Sequence, residues 1–237
     1  MQKSDIQILS TGPLSESLKS DAANKGISIE EVSFIKTEEI VDAEVEQRVK
    51  ELSLQNITAI FTSSNAVNMV GKFISPKTPW KIFCIANATK KTVKKFFPEE
   101  NTTATAYYGG DLAQMIIENS PAKKVIFFCG DQRRDELPTK LKSNGIEVEE
   151  IIVYKTTEIP KTLSKQYDGI LFFSPSAVRS FFSKNEVTGN TQIFAIGSTT
   201  AREVKNHTQQ FVHITNNPGK GNLVKTAINH FSKNKII

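Results

Sequence analysis

Short apolar runs alternate with amphipathic stretches along almost the whole chain. Runs with apolar residues on consecutive or alternate positions predict β-strands, and they are IQILS, ISIEEVSF, TAIFTSS, KIFCIA, TATAYY, KVIFFCG, IEVEEIIVY, GILFFS, QIFAIG and FVHIT. Helical spacing of apolar residues predicts helices between them, in SNAVNMVGKFI, DLAQMIIENS, RRDELPTKLKSNG, SAVRSFFSKN, TTAREVKNH and NLVKTAINHFS. This alternation predicts βαβ units with parallel sheets, and the continuous apolarity predicts strands covered by helices on both faces.

The chain repeats itself at a nearly constant offset. Three segments recur 111 positions further on (171 − 60), and an earlier one recurs 119 positions further on (145 − 26). The pairs are IFTSSNAV (60–67) with LFFSPSAV (171–178), IFCIANAT (82–89) with IFAIGSTT (193–200), Leu112 after GGD with Leu223 after KGN, and GISIEEVSFIKT (26–37) with GIEVEEIIVYKT (145–156). The register indicates two copies of one α/β unit. Generic strand-turn-helix similarity is the alternative interpretation.

Small polar residues follow the predicted strands, in TSSN, SPSA, ANATKK, GSTTAR, YYGGD and CGDQRR. Ser and Asn are favoured helix N-caps, and small residues let a ligand approach backbone N–H groups. Ligands of open parallel sheets bind outside the carboxyl ends of the strands. Helix capping alone explains any one of these segments, but six of them in two copies predict an anionic ligand held between two lobes.

Length and charge narrow the choice of partner. With 237 residues, 38% of them hydrophobic, two domains are expected. The net charge of +5 comes from 30 Lys and Arg interspersed with 25 Asp and Glu, which favours an anionic partner without predicting a nucleic-acid groove. No stretch approaches the roughly 18 apolar residues of a membrane span, and no signal peptide is recognisable, so a cytoplasmic location is expected.

Several kinds of chemistry receive little support from the sequence. NPGKGNL has the spacing of neither a P-loop nor a dinucleotide fingerprint, and no GxSxG is found. His207, His213 and His230 stand apart from any metal-ligand spacing. Cys84 and Cys129 lie in apolar runs, which predicts buried, unpaired thiols.

Five motifs occur in a fixed order along the chain: IFTSSNAV, IANAT, VIFFCGDQRRDELPTKLKSNGIEVEEIIVYKTTE, ILFFSPSAV and FAIGSTTAREV. In this order and spacing, from about residue 6 to 231, they resemble the uroporphyrinogen-III synthase family. Each motif alone is a loop of small residues, so the ordered set carries the resemblance. Ala86 stands where the family usually has Gly, and Ser198 where it usually has Pro.

The resemblance implies a fold of two similar flavodoxin-like lobes, each a parallel sheet flanked by helices. Lobe 1 would combine residues 1–36 with 158–237, and lobe 2 would span 38–155. Two extended linkers would lie near 35–38 and 154–158, with a cleft of variable opening between the lobes.

The family's activity implies a substrate and a reaction. It closes hydroxymethylbilane into uroporphyrinogen III with loss of water and inversion of ring D, without a cofactor or a metal. The substrate has eight carboxylates and closes unaided to the uninverted isomer I, so orientation and electrostatics would direct the reaction. Hydroxymethylbilane synthase is a candidate transient partner; no nucleic-acid or membrane partner is implied, and a monomer is the default expectation.

The resemblance also implies site residues. Tyr154, the tyrosine of the VYxT motif, would donate a hydrogen bond to the departing hydroxyl. Residues of the strand-end loops would bind the acetate and propionate arms: Ser63, Ser64, Asn65, Asn87, Thr89, Gly130, Arg134, Ser174, Ser176, Ser198, Thr199 and Thr200. Arg133 is better explained as an exposed residue of a first helical turn.

Two other functions remain open from the sequence. A bilobal binding or sensor protein for an anionic metabolite would share the lobes and the loops, but its usual export would need a signal peptide. A nucleotide-using transferase would need a phosphate motif, which the sequence lacks.

Overall fold

The computed structural model describes residues 6–40, 42–75, 77–215 and 217–233. Their helices and strands follow in chain order as β1 (Ile6–Ser10), α1 (Glu16–Ala23), β2 (Ile27–Glu31), β3 (Ile35–Glu39), α2 (Ala43–Ser53), β4 (Thr58–Phe61), α3 (Ser64–Val70), β5 (Lys81–Ile85), α4 (Ala88–Phe96), β6 (Thr102–Ala106), α5 (Gly109–Asn119), β7 (Lys124–Gly130), α6 (Glu136–Ser143), β8 (Glu147–Glu158), β9 (Gly169–Phe172), α7 (Pro175–Phe182), β10 (Gln192–Ala195), α8 (Ser198–Lys205), β11 (Val212–Ile214) and α9 (Lys220–Lys233). A short 3-10 turn, Glu99–Asn101, precedes β6.

The chain divides into two compact units. Unit 1 combines Met1–Lys36 with Thr157–Ile237, and unit 2 is Thr37–Thr156. The sheet of unit 1 has the order β11-β10-β9-β1-β2, and all its neighbouring strands are parallel. The sheet of unit 2 has the order β3-β8-β7-β4-β5-β6, in which β8 to β6 are parallel neighbours. The predicted α/β class with parallel sheets is confirmed.

The two sheets share one connection pattern. In unit 2, β5 and β6 lie on one side of β4, and β7 and β8 lie on its other side. In unit 1, β10 and β11 lie on one side of β9, and β1 and β2 lie on its other side. The strands of the repeated sequence segments therefore occupy equivalent places in the two sheets, as a duplicated unit requires.

Both faces of each sheet are buried, as the continuous apolar runs predict. Along β4, Ala59 and Phe61 pack into one apolar cluster and Ile60 into another. Along β9, Phe172 and Leu171 likewise belong to two different clusters. Alternate side chains of a strand point to opposite faces, so each short strand anchors two cores.

The two cysteines are buried and free, as predicted. Burial raises the pKa of the Cys84 thiol to about 11. Burial likewise raises the pKa of the Cys129 thiol to about 12. Both thiols therefore stay protonated at neutral pH, and they behave as small apolar core residues.

The boundaries of three elements differ from the sequence prediction. The strand expected over ISIEEVSF ends at Glu31, and the chain then forms β3, which lies beside β8 in the sheet of unit 2. The residues 154–158 belong to β8, which is 12 residues long. Helix α6 begins at Glu136, not at Arg133, because the Arg133 N–H closes a turn to the Gly130 carbonyl at 3.2 Å.

No helix of the described residues combines the length and the apolarity that crossing a membrane requires.

Candidate active site

The loops that follow β4 and β7 lie at the point where the connections of unit 2 diverge. β4 and β7 are neighbours, but the chain leaves β4 toward β5 and leaves β7 toward β8. Such a divergence opens a crevice at the carboxyl ends of the two strands, where ligands of open α/β sheets bind. Ser63 follows β4, and Gly130 ends β7. Two of the predicted site segments thus meet at this crevice.

Tyr154 lies directly over Gly130. The β7–β8 register shifts after Cys129, so that Gly130 pairs with Tyr154. A Cβ atom on residue 130 would lie 2.4 Å from the Cε2 and Cζ atoms of the Tyr154 ring. Because this is closer than real Cβ contacts, only glycine leaves room for the ring in this position. The glycine of CGDQRR therefore fixes where the tyrosine rests.

The side chain of Ser63 lies beside the Tyr154 hydroxyl and lowers the pKa of this phenol. Ser63 is also the N-cap of α3, where its Oγ accepts a hydrogen bond from the Asn65 N–H at 3.1 Å. The structure thus brings Tyr154, Gly130 and the TSSN segment together. The sequence named all of them as site residues but did not show that they are neighbours. Ser64 is half-buried beside them, and Asn65 is exposed.

The surroundings of Tyr154 keep its phenol protonated. Burial raises the pKa of Tyr154, and the neighbouring Ser63 side chain opposes this shift. The negative charge of Asp131 raises the Tyr154 pKa further. Part of the ring packs against the apolar cluster under β4. A protonated phenol at a strand end can donate a hydrogen bond to a leaving hydroxyl group.

Asp131 was missed by the sequence analysis. Its Oδ1 accepts the Thr156 N–H at 2.9 Å, and its own N–H donates to the Tyr154 carbonyl at 3.1 Å. Asp131 therefore fixes the backbone of β8 from the Tyr154 carbonyl to Thr156. The Gly-Asp pair directly after an apolar run was the available signal, because a strand end followed by Asp often marks a turn.

The loop after β5 holds two more predicted residues in different environments. Asn87 is exposed and has a φ of 66°, which is rare for a residue other than glycine. Such a backbone costs on the order of 1–3 kcal/mol and needs support from its surroundings. Thr89 is only 4% exposed and faces the core of unit 2. Ala86, at the place of the family's glycine, needs no positive φ, because the strained position here is Asn87.

In unit 1 the predicted residues lie at the ends of β9 and β10. Ser174 caps α7, and its Oγ accepts the Ala177 N–H at 3.2 Å. Ser176 lies 3.1 Å from Ser174 (Oγ to Oγ) but is itself buried. At the start of α8, Ser198 is exposed and Thr199 half-buried.

Thr200 lies in the core of unit 1. It is fully buried, and its hydroxyl has no hydrogen-bond partner among the described residues. Thr89 and Thr200 occupy equivalent positions of the repeat, and both are buried. The two threonines are therefore buried beneath their loops, whereas Asn87 and Ser198 of the same loops are exposed.

The two arginines of CGDQRRDEL, Arg133 and Arg134, have different surroundings. Arg133 contacts the carboxylates of Glu150 and Asp135 through its guanidinium group, so it is an anchored residue of the turn. This differs from the solvated helical residue that the sequence suggested. Arg134 is exposed. Among the described residues, no three or more His, Cys, Asp or Glu side chains are grouped so as to hold a metal ion.

Residues 16–225 match the family described as uroporphyrinogen-III synthase HemD. The chain belongs to the uroporphyrinogen-III synthase family. The family assignment made from the strand-end motifs is thereby confirmed, and the binding or sensor alternative finds no support.

Similar proteins carry the same name. A uroporphyrinogen-III synthase of Saccharomyces cerevisiae is 40% identical over 58 residues, which are 22% of this chain and 21% of that protein. The crystal structure of a mutant uroporphyrinogen III synthase from the extremely thermophilic bacterium Thermus thermophilus has a TM-score of 0.64 at 14% identity, covering 97% of this chain and 99% of that one. A uroporphyrinogen-III synthetase from Helicobacter pylori has a TM-score of 0.60 at 16% identity, covering 95% and 99%. These two structures share the fold of this family member.

Proposed function

We propose that the chain is an active uroporphyrinogen-III synthase, which converts hydroxymethylbilane into uroporphyrinogen III with loss of water and inversion of ring D. The observation that carries this proposal is the position of the Tyr154 ring, which is fixed over Gly130 at the crevice of unit 2. Membership of the family supplies the reaction.

The proposed reaction begins with the loss of the terminal hydroxyl group of the substrate. Tyr154 transfers its proton to that oxygen, which leaves as water, and the pyrrole nitrogen lone pair compensates to give a cationic azafulvene. The substituted carbon of ring D attacks this cation and forms a spiro intermediate. The bond from this carbon to its original methylene bridge then breaks, and the freed bridge joins the unsubstituted α-carbon of ring D. The proton lost from that carbon returns to the Tyr154 oxygen, and the macrocycle is closed. Donation by a phenol is favoured because burial keeps it protonated.

Binding of the carboxylate arms is assigned to the exposed or half-buried donors of the strand-end loops. These donors are Ser63, Ser64, Asn65, Asn87, Arg134, Ser174, Ser198 and Thr199. Hydroxyl and amide groups held by helix caps can bind carboxylates without large reorganisation. The buried Thr89, Ser176 and Thr200 would support these loops from behind, and Gly130 gives Tyr154 its place.

The test is to add purified protein to freshly prepared hydroxymethylbilane, oxidise the products and separate isomers I and III by chromatography. We expect isomer III to predominate, whereas heat-denatured protein should give isomer I. Isomer I alone, from protein shown to be folded by circular dichroism, would reject the proposed activity.

A further inference from the structure

Lys220, the first residue of α9, lies at the carboxyl edge of the sheet in unit 1. Its Nζ donates a hydrogen bond to the Pro13 carbonyl at 2.5 Å and lies 5.3 Å from the centroid of the Phe173 ring. Pro13 follows β1, Phe173 follows β9, and Lys220 follows β11. Three separate strand-end loops therefore converge on one ammonium group.

The location of this ammonium group corresponds to the crevice of unit 2. β1 and β9 are neighbours in the sheet, and the chain leaves them in opposite directions, toward β2 and β10. This is the point at which ligands of such sheets bind. Gly12, between Thr11 and Pro13, keeps the loop after β1 close to Phe173, because a Cβ there would lie 3.3 Å from the ring.

The charge of Lys220 is only partly compensated. Among the described residues, no carboxylate lies within ion-pair distance of its Nζ, and the Pro13 carbonyl uses one of its three N–H donors. Glu31 attracts Lys220 from further away, but its Oε1 accepts the Leu14 N–H at 2.9 Å and lies 3.8 Å from the Lys19 Nζ. Lys220 is exposed, and desolvation by its surroundings lowers the pKa of its ammonium group.

The sequence repeat shows that this lysine is particular to one copy. At the offset of 111, Lys220 corresponds to Gly109, and the segment KGN corresponds to GGD (220 − 109). A lysine at the start of α9 is therefore not required by the architecture that the two units share. Its contacts with Phe173 and Pro13 direct it to the strand ends of unit 1.

We propose that Lys220 binds a carboxylate of the substrate, as a further substrate-binding residue at the strand ends of unit 1. This inference rests on the proposed synthase activity. Two N–H donors of the ammonium group remain for the carboxylate, while the Pro13 carbonyl and the Phe173 ring hold the side chain in place. Charge-assisted hydrogen bonds of this kind are among the stronger polar contacts in proteins.

The experiment compares Lys220→Met with Lys220→Arg and with Lys225→Met in steady-state assays of isomer III formation. Lys225 is exposed on the same helix and serves as the matched control. We expect Lys220→Met to raise KM about tenfold or more, with kcat changed less than about twofold, since a lost charged hydrogen bond weakens binding by about this factor. Lys220→Arg should restore most of the affinity, and Lys225→Met should behave as the wild type.

Salt provides a second measurement. The KM of the wild type should rise with ionic strength more steeply than that of Lys220→Met, because one screened charge pair is missing in the variant. An unchanged KM in Lys220→Met, or a fall in kcat and melting temperature with KM constant, would overturn the inference and leave Lys220 a structural residue. A wild type that forms no isomer III would instead reject the synthase activity, and the inference with it.

Discussion

At the scale of single residues, the position of Tyr154 depends on the missing side chain of Gly130 as well as on the contacts made by its other neighbours. Gly130 has no side chain where the ring rests, the Ser63 side chain lies beside the hydroxyl group, and Asp131 fixes the backbone that follows the tyrosine. Together they hold the phenol at a strand end, and burial raises its pKa. This arrangement suits a group that donates a proton or a hydrogen bond, not one that acts as a nucleophile.

Replacing Tyr154 with Phe tests the role of its hydroxyl group. We expect the variant to fold normally and its kcat to fall at least about tenfold, because general acid catalysis contributes up to about 10²–10⁴-fold. The fraction of isomer I should rise as the uncatalysed closure competes. Steady-state kinetics with product separation measures both effects.

Tyr167→Phe is the matched control for this change. Tyr167 precedes β9 at its amino end and bonds to Glu30, and burial raises its pKa to about 12. Removing its hydroxyl group should leave kcat unchanged. Equal turnover in Tyr154→Phe and the wild type would show that the Tyr154 hydroxyl takes no part in catalysis.

Several site residues could be named from the sequence, but their environments could not. The resemblance placed Tyr154 and the small polar residues, since those are carried by local motifs. It did not separate the half-buried Thr199 from the fully buried Thr200, because that difference depends on the helix face turned toward the core. It also missed Lys220, whose position becomes visible only when loops from three distant strands meet.

At the scale of elements, the alternation of strands and helices could be predicted from the sequence. Both faces of each sheet are buried, so the strands appear as continuous apolar runs. The residues at which the elements end were harder to predict from the sequence. β8 continues through YKTTE, a polar stretch, because hydrogen bonds to its neighbours and to Asp131 extend the strand. β2 ends at Glu31 although apolar residues follow, since Phe34 packs into the core beside α7.

The caps of two surface helices provide a prediction about stability. The carboxylate of Asp42 caps α2 by accepting the Glu44 N–H at 2.8 Å, whereas Ser15 at the start of α1 makes no side-chain cap hydrogen bond. Asp42→Ala should lower the free energy of unfolding by about 1 kcal/mol. Ser15→Ala should lower it by less than about 0.5 kcal/mol.

Urea denaturation at pH 7, followed by far-UV circular dichroism, measures both values. Asp42 lies outside the strand-end loops of the candidate site, so isomer III formation should stay unchanged in Asp42→Ala. A loss as large in Ser15→Ala as in Asp42→Ala would show that the side-chain cap does not account for the difference.

At the scale of the whole molecule, the two units are built from the chain in different ways. Unit 2 is continuous and contains both of its apolar clusters. Unit 1 takes β1 and β2 from the start of the chain and its other three strands from the end. The buried Ile8 and Leu9 of β1 belong to different clusters of that unit.

Fragments should therefore behave unequally. Residues 37–156 expressed alone should fold and unfold cooperatively in urea, because their five parallel strands and two cores are complete. Residues 157–237 alone should stay largely unfolded, because β9 would lose its partner β1 and both cores would be incomplete. Adding a peptide of residues 1–36 should restore structure to the second fragment. A cooperative transition of residues 157–237 without that peptide would contradict this account.

The split of unit 1 also sets an order of events on the ribosome. The Thr11 hydroxyl bonds to the carbonyl of Leu171, a residue 160 positions later. At about 5–20 residues per second, Leu171 is synthesised on the order of 10–30 s after Thr11. During that time the apolar segment Ile6–Ser10 can pair with β2 but lacks its other partner, β9. Unit 2 can therefore fold while β1 still lacks β9, and we expect a chaperone to shield this apolar segment until β9 is synthesised.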